Sequence, residues 1–187
     1  KDRKFVLYSM ACSVADLPAR TAECGVYNGG SSWLICEAFK GNRAWRHHMF
    51  DSFEGLSKPD ELDRPSDRHT FSWAENDLAV GLQRVQRNMA SFGGSVECHP
   101  GWIPSAFDQV ADERFAFVHV DVDLHRPTYD SFEFFYPRLV PGAILLCDDY
   151  GFTSCPGARR AFDEFIADKP ERRVVHLPTG QGYIVKR

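Results

Sequence analysis

The sequence predicts an α/β domain with a mostly parallel β-sheet, helices on both faces and an antiparallel C-terminal strand. Strand-like and helix-like segments alternate along the chain, which is typical of parallel sheets. Two apolar runs, residues 115–120 and 143–147, have the length and uniformity of strands buried on both faces. Near the C-terminus, residues 173–178 and 182–186 flank a short Gly-containing turn, which predicts a hairpin and therefore one antiparallel strand.

The bulk composition predicts one soluble globular domain spanning residues 1–187. The 187 residues are 43% hydrophobic and 26% charged, which is ordinary for a globular protein. The net charge of −4 and the absence of long Lys or Arg runs argue against a nucleic-acid partner. No apolar run approaches the roughly 20 residues that span a bilayer, so we expect no membrane partner.

Cysteine usage indicates a reducing compartment, and we expect a cytoplasmic protein. The six cysteines lie far apart, and Cys24, Cys36 and Cys147 fall in apolar segments, where buried thiols are usual. The N-terminus shows no signal-peptide pattern. Because the chain begins with Lys1 rather than Met, we expect it to be part of a longer one.

The first half of the chain predicts two strands and a helix, followed by a long loop. Residues 21–26 form a strand and 27–30 a turn, and Ser31 and Ser32 are expected to cap a helix that continues through Phe39. Residues 46–50 form a second strand ending in Asp51. Residues 54–73 are polar and contain no regular pattern. A loop of this length is either a substrate lid or a surface insert, and both interpretations stay open.

The second half continues the alternation. Apolar residues at helical spacing, including Leu78, predict a helix over residues 74–91 whose apolar side chains contact the core. The remaining segments are a strand at 95–99, the strands at 115–120 and 143–147, helices at 129–139 and 157–167, and the terminal hairpin.

Aspartates come directly after both apolar strands. Asp121 and Asp123 come after residues 115–120, and Asp148 and Asp149 after residues 143–147. Ligands bind outside the carboxyl ends of parallel strands, so these carboxylates converge on a cleft, where a cation or a proton must relieve their repulsion. Hard oxygen ligands suit Mg²⁺ or a similar divalent ion. A single Asp could instead cap a helix, which explains the set less well.

A glycine-rich turn between the first strand and helix predicts a nucleotide cofactor. Its pattern is Glu23-x-Gly25-x-x-x-Gly29-Gly30, and Asp51 ends the next strand, where an acidic residue binds ribose hydroxyls. NAD fits this spacing, but Tyr27 stands where the dinucleotide pattern needs a glycine. A tight turn without a ligand is the alternative.

S-adenosylmethionine fits this turn better than NAD, because Glu23 suits an ammonium group and the helix N-terminus suits a carboxylate. Trp102 is placed to lie against adenine, although core packing explains both it and Phe53 equally well. The candidate cofactor residues are Glu23, Gly25, Tyr27, Gly29, Ser31, Ser32, Asp51, Ser52, Phe53, Gly101 and Trp102.

Several blocks of sequence are similar to the macrocin O-methyltransferase family. They are residues 23–31, 50–56, 119–124, 136–142, and 147–151 followed by 156–161. The similarity runs from residue 21 to the C-terminus. It implies a Rossmann-like class I methyltransferase that transfers a methyl group from S-adenosylmethionine to a sugar hydroxyl with the help of Mg²⁺. The chain departs from the family at His125, where Tyr is common, and in a short segment before the first strand.

The resemblance also implies roles for the aspartates. Asp121 would be both a metal ligand and the catalytic base, and Asp148 and Asp149 would complete the metal site. Two neighbouring hydroxyls of a sugar would fill the open metal positions, and the chain would form a homodimer.

Other polar residues receive structural or open assignments. Asp123 is expected to cap the next helix or to bond backbone amides. His125 is either an auxiliary base near the acceptor or a surface or capping residue. His119 is expected to be a satisfied core residue. Arg159 and Arg160 lie in the first turn of a helix, which disfavours cations, so a salt bridge is expected.

Competing functions remain open at this point. A catechol-like or other non-sugar hydroxyl could be the acceptor, and the lid would decide between them. A regulatory module without turnover would not need the aspartate set. A metal-dependent hydrolase would leave Glu23, Gly25 and Asp51 unexplained.

Overall fold

A computed structural model describes residues 1–43, 45–67 and 69–187. Within these residues, seven strands form one sheet in the order β3-β2-β1-β4-β5-β7-β6. The strands are β1 (Arg20–Cys24), β2 (His47–Asp51), β3 (Val96–Pro100), β4 (Phe115–Val120), β5 (Leu139–Cys147), β6 (Val175–His176) and β7 (Gly182–Val185). Strands β1 to β5 are parallel, and β7 runs antiparallel to β5 and β6. The predicted fold class and the C-terminal hairpin are confirmed.

Helices cover both faces of this sheet, as the sequence predicts. They are α1 (Asp2–Ser13), α2 (Gly30–Phe39), α3 (Leu82–Met89), α4 (His125–Phe135) and α5 (Pro156–Ile166). On one face, Phe132 and Phe135 of α4 and Phe162 of α5 pack with Phe50 and Phe107. On the other, side chains of α1, α2 and α3 form a second core that includes Leu7, Ile35, Phe39, Met49 and Val85.

Strand register brings the aspartates together. Cys24 of β1 pairs with Val120 of β4, which pairs with Cys147 of β5. All six residues of β4 are buried. Asp121 and Asp148 follow the paired residues Val120 and Cys147, so they lie side by side at the carboxyl edge of the sheet.

The prediction of a helix over residues 74–91 is wrong in its first half, since α3 begins at Leu82. Asn76 and Leu78 have left-handed backbone conformations, with φ of 67° and 64°. Leu78 is 40% exposed and lines the main cavity, so it is not a core contact. Its helical spacing from Leu82 does not reflect a helix that includes both residues.

The predicted helix over residues 129–139 lies several residues too late. Helix α4 spans His125–Phe135 with Pro127 in its first turn, a position that proline tolerates. A 3₁₀ turn over Tyr136–Arg138 follows, and β5 begins at Leu139.

The burial of three cysteines agrees with the sequence prediction. Cys24, Cys36 and Cys147 are buried free thiols, as predicted. Among the described residues, no helix has both the length and the apolar character needed to cross a membrane.

Candidate active site

A cavity of about 540 Å³ opens at the carboxyl edge of the sheet. A second cavity of about 260 Å³ adjoins it, and Arg3, Tyr27 and Asp121 line both. Of the candidate cofactor residues, the larger cavity is lined by Gly25, Tyr27, Asp51, Ser52, Gly101 and Trp102, and the smaller by Tyr27 and Ser31. The structure thus brings most of the predicted set to one connected space.

The turn after β1 depends on a glycine. Gly25 has φ of +83° and donates its N–H to the carbonyl of Phe50 at 2.9 Å. A Cβ built on Gly25 would lie 1.8 Å from the carbonyl oxygen of Asp121. The glycine is therefore required by the close approach of this turn to the backbone that carries Asp121.

Asp51 holds the same turn from β2. Its Oδ2 accepts backbone N–H groups of Val26 and Tyr27 at 2.7 and 3.2 Å, and its Oδ1 accepts that of Phe53 at 2.7 Å. These bonds fix the carboxylate at the cavity wall. A carboxylate has about four acceptor sites, so it retains capacity for a ligand hydroxyl.

Four of the candidate cofactor residues line neither cavity. Glu23 is 1% exposed and bonds Ser32, which is also fully buried. Gly29 is the N-cap of α2, with φ of 80°, so the predicted cap at Ser31 and Ser32 is wrong: both lie inside the first turn of the helix. Phe53 packs against the core formed by α1, α2 and α3. Their prediction as cofactor residues is therefore not supported by the lining of these two cavities.

Glu23 belongs to a buried hydrogen-bond chain that ends at Asp148. The His119 Nδ1 lies 2.8 Å from Glu23 Oε1, and its Nε2 lies 3.2 Å from Asp148 Oδ1. Because both partners are carboxylates, both ring nitrogens donate. Burial opposes this charge, but the two carboxylates hold the pKa of His119 well above its ordinary value. His119 is a satisfied core residue, as predicted, and it also positions a site residue.

The same chain extends to His47, which the sequence interpretation left without a role. His47 Nδ1 lies 2.8 Å from Thr21 Oγ1, and its Nε2 lies 3.0 Å from Ser32 Oγ. Burial lowers the pKa of His47 to about 3, so this imidazole is neutral at neutral pH. A sequence signal for this hydrogen-bond chain is His119, a polar side chain inside the otherwise apolar strand β4.

Asp121 and Asp149 both line the larger cavity, and the pKa values of both carboxyls are raised. Burial and the neighbouring Asp123 raise the pKa of Asp149 to about 8. Burial and the charge of Asp149 raise the pKa of Asp121 well above its ordinary value. The two carboxyls repel each other when both are ionised, which is the electrostatic condition for binding a cation.

Asp148 is ionised, and the two positively charged side chains nearest to the carboxyls, His119 and Arg3, contact it. Burial alone would raise its pKa, but the hydrogen bond from His119 and the charges of His119 and Arg3 lower it. Gln181 Nε2 donates to Asp148 Oδ1 at 2.7 Å. Arg3 Nη1 lies 2.6 Å from Asp148 Oδ2 and 3.8 Å from Asp149 Oδ1. Helix α1 therefore places the positively charged guanidinium of Arg3 against two of the predicted metal ligands.

The donor atoms of these carboxyls suit a divalent cation. They form two compact groups, Asp121 and Asp148 with His119, and Asp149 with Asp123 and Cys155. Asp121 borders both cavities, and the Arg3 guanidinium lies against Asp148. Oxygen donors of this kind are the ligands that Mg²⁺ prefers. The sequence could not show Arg3, since its proximity depends on how α1 packs on α2.

Asp123 does not cap α4, so that alternative is wrong. Helix α4 begins after Leu124 without a side-chain cap. Asp123 instead lines the cavity with φ of 61°, and its Oδ1 accepts the thiol of Cys155 at 3.4 Å. Burial and the nearby Asp121 raise the pKa of Asp123 to about 7.

His125 does not line the described cavities. It is the first residue of α4, its Nε2 lies 2.9 Å from Glu164 Oε2, and its backbone N–H donates to Asp63 at 2.6 Å. Of its two interpretations, the structural one agrees with this placement. Arg159 lies 3.6 Å from Asp163, which confirms the expected salt bridge.

The ends of the loop at 54–73 reach the cavity; residue 68 lies outside the described residues. Gly55, Leu56 and Trp73 line it, and Trp73 Nε1 donates to Cys155 Sγ at 3.2 Å. Arg160 donates to the carbonyl of Leu62 at 2.8 Å and fastens the middle of the loop to α5. The loop therefore forms part of the cavity wall.

Comparisons with known proteins point to one family. A family model described as macrocin-O-methyltransferase (TylF) matches residues 9–175. One relative, from Streptomyces olivaceus, is 32% identical over 158 residues, or 81% of this chain. Its name is 8-demethyl-8-(2,3-dimethoxy-alpha-L-rhamnosyl)-tetracenomycin-C 4'-O-methyltransferase. Mycinamicin III 3''-O-methyltransferase of Micromonospora griseorubida is 32% identical over 161 residues, or 80% of this chain.

The chain is shorter than these relatives and spans 60% and 61% of their lengths. Among solved structures, the O-methyltransferase NovP superposes with a TM-score of 0.81 at 25% identity, covering 98% of this chain and 79% of that chain. With the family model matched along most of the sequence, the chain belongs to the TylF macrocin-O-methyltransferase family.

Proposed function

We propose that the protein transfers a methyl group from S-adenosylmethionine to a sugar hydroxyl of a small molecule, with a divalent cation at the aspartates. The observation that carries this proposal is the carboxyl cluster of Asp121, Asp148 and Asp149 beside a cavity that also contains Asp51. One relative is named for methylation of a rhamnosyl-bearing tetracenomycin, which supports a sugar acceptor.

The methyl donor would lie across the two cavities. Asp51 would accept its ribose hydroxyls, and Trp102, which is 45% exposed at the cavity wall, would lie against adenine. The methionine end would lie in the smaller cavity at the start of α2, which has no side-chain cap. Lys4 Nζ stands near this helix start, 2.9 Å from where a Cβ on Gly30 would be. Both features favour a carboxylate.

Glu23 and Ser32 would act indirectly. Both are buried away from the cavities, so we assign them positioning roles in place of the predicted contact with the cofactor. Glu23 fixes His119, and His119 fixes Asp148. This arrangement keeps Asp148 ionised and oriented without exposing the chain to water.

Asp121, Asp148 and Asp149 would hold Mg²⁺ or a similar ion, after Arg3 leaves Asp148. A cation at this place supplies a fixed positive charge that lowers the pKa of an adjacent hydroxyl. The Asp121 carboxylate, which borders both cavities, would accept the hydroxyl proton. The cavity walls orient the acceptor oxygen in line with the methyl group, which direct displacement requires.

The acceptor side of the cavity is lined by apolar and aromatic residues that the sequence interpretation did not single out. They include Trp73, Leu124, Pro127 and Phe152. Such walls suit the C–H face of a sugar, while the aspartates suit its hydroxyls. They would also accept a catechol-like ring, so the non-sugar acceptor is the second candidate. We propose that the loop at 54–73 acts as the lid, and a homodimer and a cytoplasmic location remain expectations.

Thermal unfolding with each candidate cofactor tests the donor assignment. We expect S-adenosylmethionine and S-adenosylhomocysteine to raise the melting temperature, because a ligand at about 100 times its Kd adds about 2.7 kcal/mol. NAD should leave the melting temperature unchanged. Asp51→Ala should weaken the shift. Stabilisation by NAD and not by S-adenosylmethionine would overturn the assignment.

A further inference from the structure

A second group of metal-ligating side chains lies at the edge of the sheet, apart from the aspartates. His48 is on β2, and Glu97 and His99 are on the edge strand β3. Because His48 pairs in register with Glu97, and His99 stands two residues further on, all three side chains project from the same face of the sheet.

The three donor atoms form a compact triangle. His48 Nδ1 lies 3.0 Å from His99 Nε2 and 3.8 Å from Glu97 Oε2, and His99 Nε2 lies 4.0 Å from the same oxygen. Zinc binds imidazole nitrogen and carboxylate oxygen at about 2.0–2.2 Å, so one ion can reach all three with small side-chain adjustments.

The neighbours of His99 fix its tautomer and the orientation of its ring. His99 Nδ1 lies 3.1 Å from Gln109 Oε1, an acceptor, so this nitrogen carries the hydrogen and Nε2 presents its lone pair. A hydrogen bond to the second ring nitrogen is the usual support of a metal-ligating histidine. His99 also stacks on Phe50, with ring centroids 4.6 Å apart, which fixes the plane of its ring.

His48 is neutral and has a tautomer available for binding. Burial, followed by the proximity of His99, lowers the pKa of His48 to about 4. Its Nε2 is buried without a hydrogen-bond partner. Its proton can therefore move from Nδ1 to Nε2 without breaking a bond at Nε2, which frees Nδ1 for an ion.

The site is accessible on one side only. His48 and His99 are 4% and 3% exposed, whereas the Glu97 side chain is 55% exposed. An ion could enter past Glu97, and a water molecule could complete a tetrahedral shell.

We propose that His48, Glu97 and His99 form a zinc site that ties β2 to the edge strand β3. The ion replaces the hydrogen that the two imidazoles share in its absence. The ring of Phe50 separates this site from the larger cavity, since Phe50 lines that cavity and His99 stacks on Phe50. The bound ion therefore stabilises the part of the sheet that presents Asp51 and Gly101.

Zinc titration in excess Mg²⁺ tests the proposal, because Mg²⁺ occupies oxygen sites and has little affinity for imidazole. Calorimetry with Zn²⁺ should show one strong site in the wild-type chain. His99→Gln should abolish that site, and Glu97→Gln should weaken it by at least about tenfold. His176→Gln, an exposed histidine on the opposite edge strand, is the control and should bind as the wild type does.

The absorption spectrum of bound Co²⁺ reports on the residues that bind the metal and does not depend on the stability of the fold. Co²⁺ substitution should give the intense visible absorption of a tetrahedral site, and His99→Gln should remove it. Since Glu97 is exposed, Glu97→Gln keeps the fold if His99→Gln does not. Absence of a Zn²⁺ site in excess Mg²⁺, or a site unchanged by both substitutions, would overturn the proposal. The calorimetry and the Co²⁺ spectrum do not depend on methyl transfer, so the absence of a zinc site would leave the proposed function intact.

Discussion

Asp121→Asn is expected to lower the rate of methyl transfer by about 10²- to 10⁴-fold while leaving donor affinity close to that of the wild type. Asn keeps the size of the side chain but cannot accept the hydroxyl proton. It also removes one carboxyl from the electrostatic interaction between Asp121 and Asp149. Mg²⁺ affinity should fall with it, because one of the three carboxylate ligands is lost.

The measurement is single-turnover methyl transfer to a sugar-bearing acceptor, with donor affinity from calorimetry. Asp112→Asn is the matched control, since Asp112 is exposed and lies away from both cavities. Normal transfer by Asp121→Asn in EDTA would contradict both the base and the ligand role. Loss of donor binding alone would show that Asp121 serves the cofactor.

Gly25→Ala is expected to destabilise the fold by about 4 kcal/mol or more, the range reached when a substitution forces backbone apart. The added Cβ would meet the Asp121 carbonyl oxygen at 1.8 Å, far inside contact distance. The φ of +83° adds a conformational cost for any residue with a Cβ. The ends of β1 and β4 would have to separate, and the carboxyl cluster would separate with them.

Urea unfolding measures this effect, and Gly41→Ala is its control. A Cβ on Gly41 would meet nothing within 4 Å, so that substitution should change the free energy of unfolding by less than about 1 kcal/mol. If Gly25→Ala unfolds at the same urea concentration as Gly41→Ala, the close approach of the two strand ends is wrong.

The sheet and the carboxyl cluster were predictable because local patterns determine them. The apolar runs of β4 and β5 appear in the sequence as buried strands, and parallel strands bring the residues at their carboxyl ends to one edge of the sheet. Asp121, Asp148 and Asp149 could therefore be brought together without coordinates. Gly25 was also found, although the contact that requires it is with the Asp121 backbone.

The parts that were not predictable depend on contacts between distant residues. Glu23 and His119 are 96 residues apart in the chain, yet their hydrogen bond decides that Glu23 faces inward. Arg3 reaches Asp148 only because α1 packs on α2. No local pattern encodes either contact.

The helix error over residues 74–81 has the same origin. The start of the loop is joined to the segment that follows it by backbone hydrogen bonds from the Leu56 N–H to the Asp77 carbonyl and from the Asn76 N–H to the Leu56 carbonyl, both at 2.9 Å. Gly55 lies against the carbonyls of Asn76 and Asp77, where a Cβ would come within 2.6 Å. Tertiary pairing of the loop ends therefore overrides the helical spacing of Leu78 and Leu82.

The most direct test is a crystal structure of the protein with S-adenosylhomocysteine and Mn²⁺, using the anomalous signal of the metal. We expect one metal peak bound by Asp121, Asp148 and Asp149, with Arg3 displaced from Asp148. The sulfur should face the same cavity, and the ribose should contact Asp51. A metal bound away from these carboxylates, or a sulfur outside this cavity, would contradict metal-assisted methyl transfer at this site.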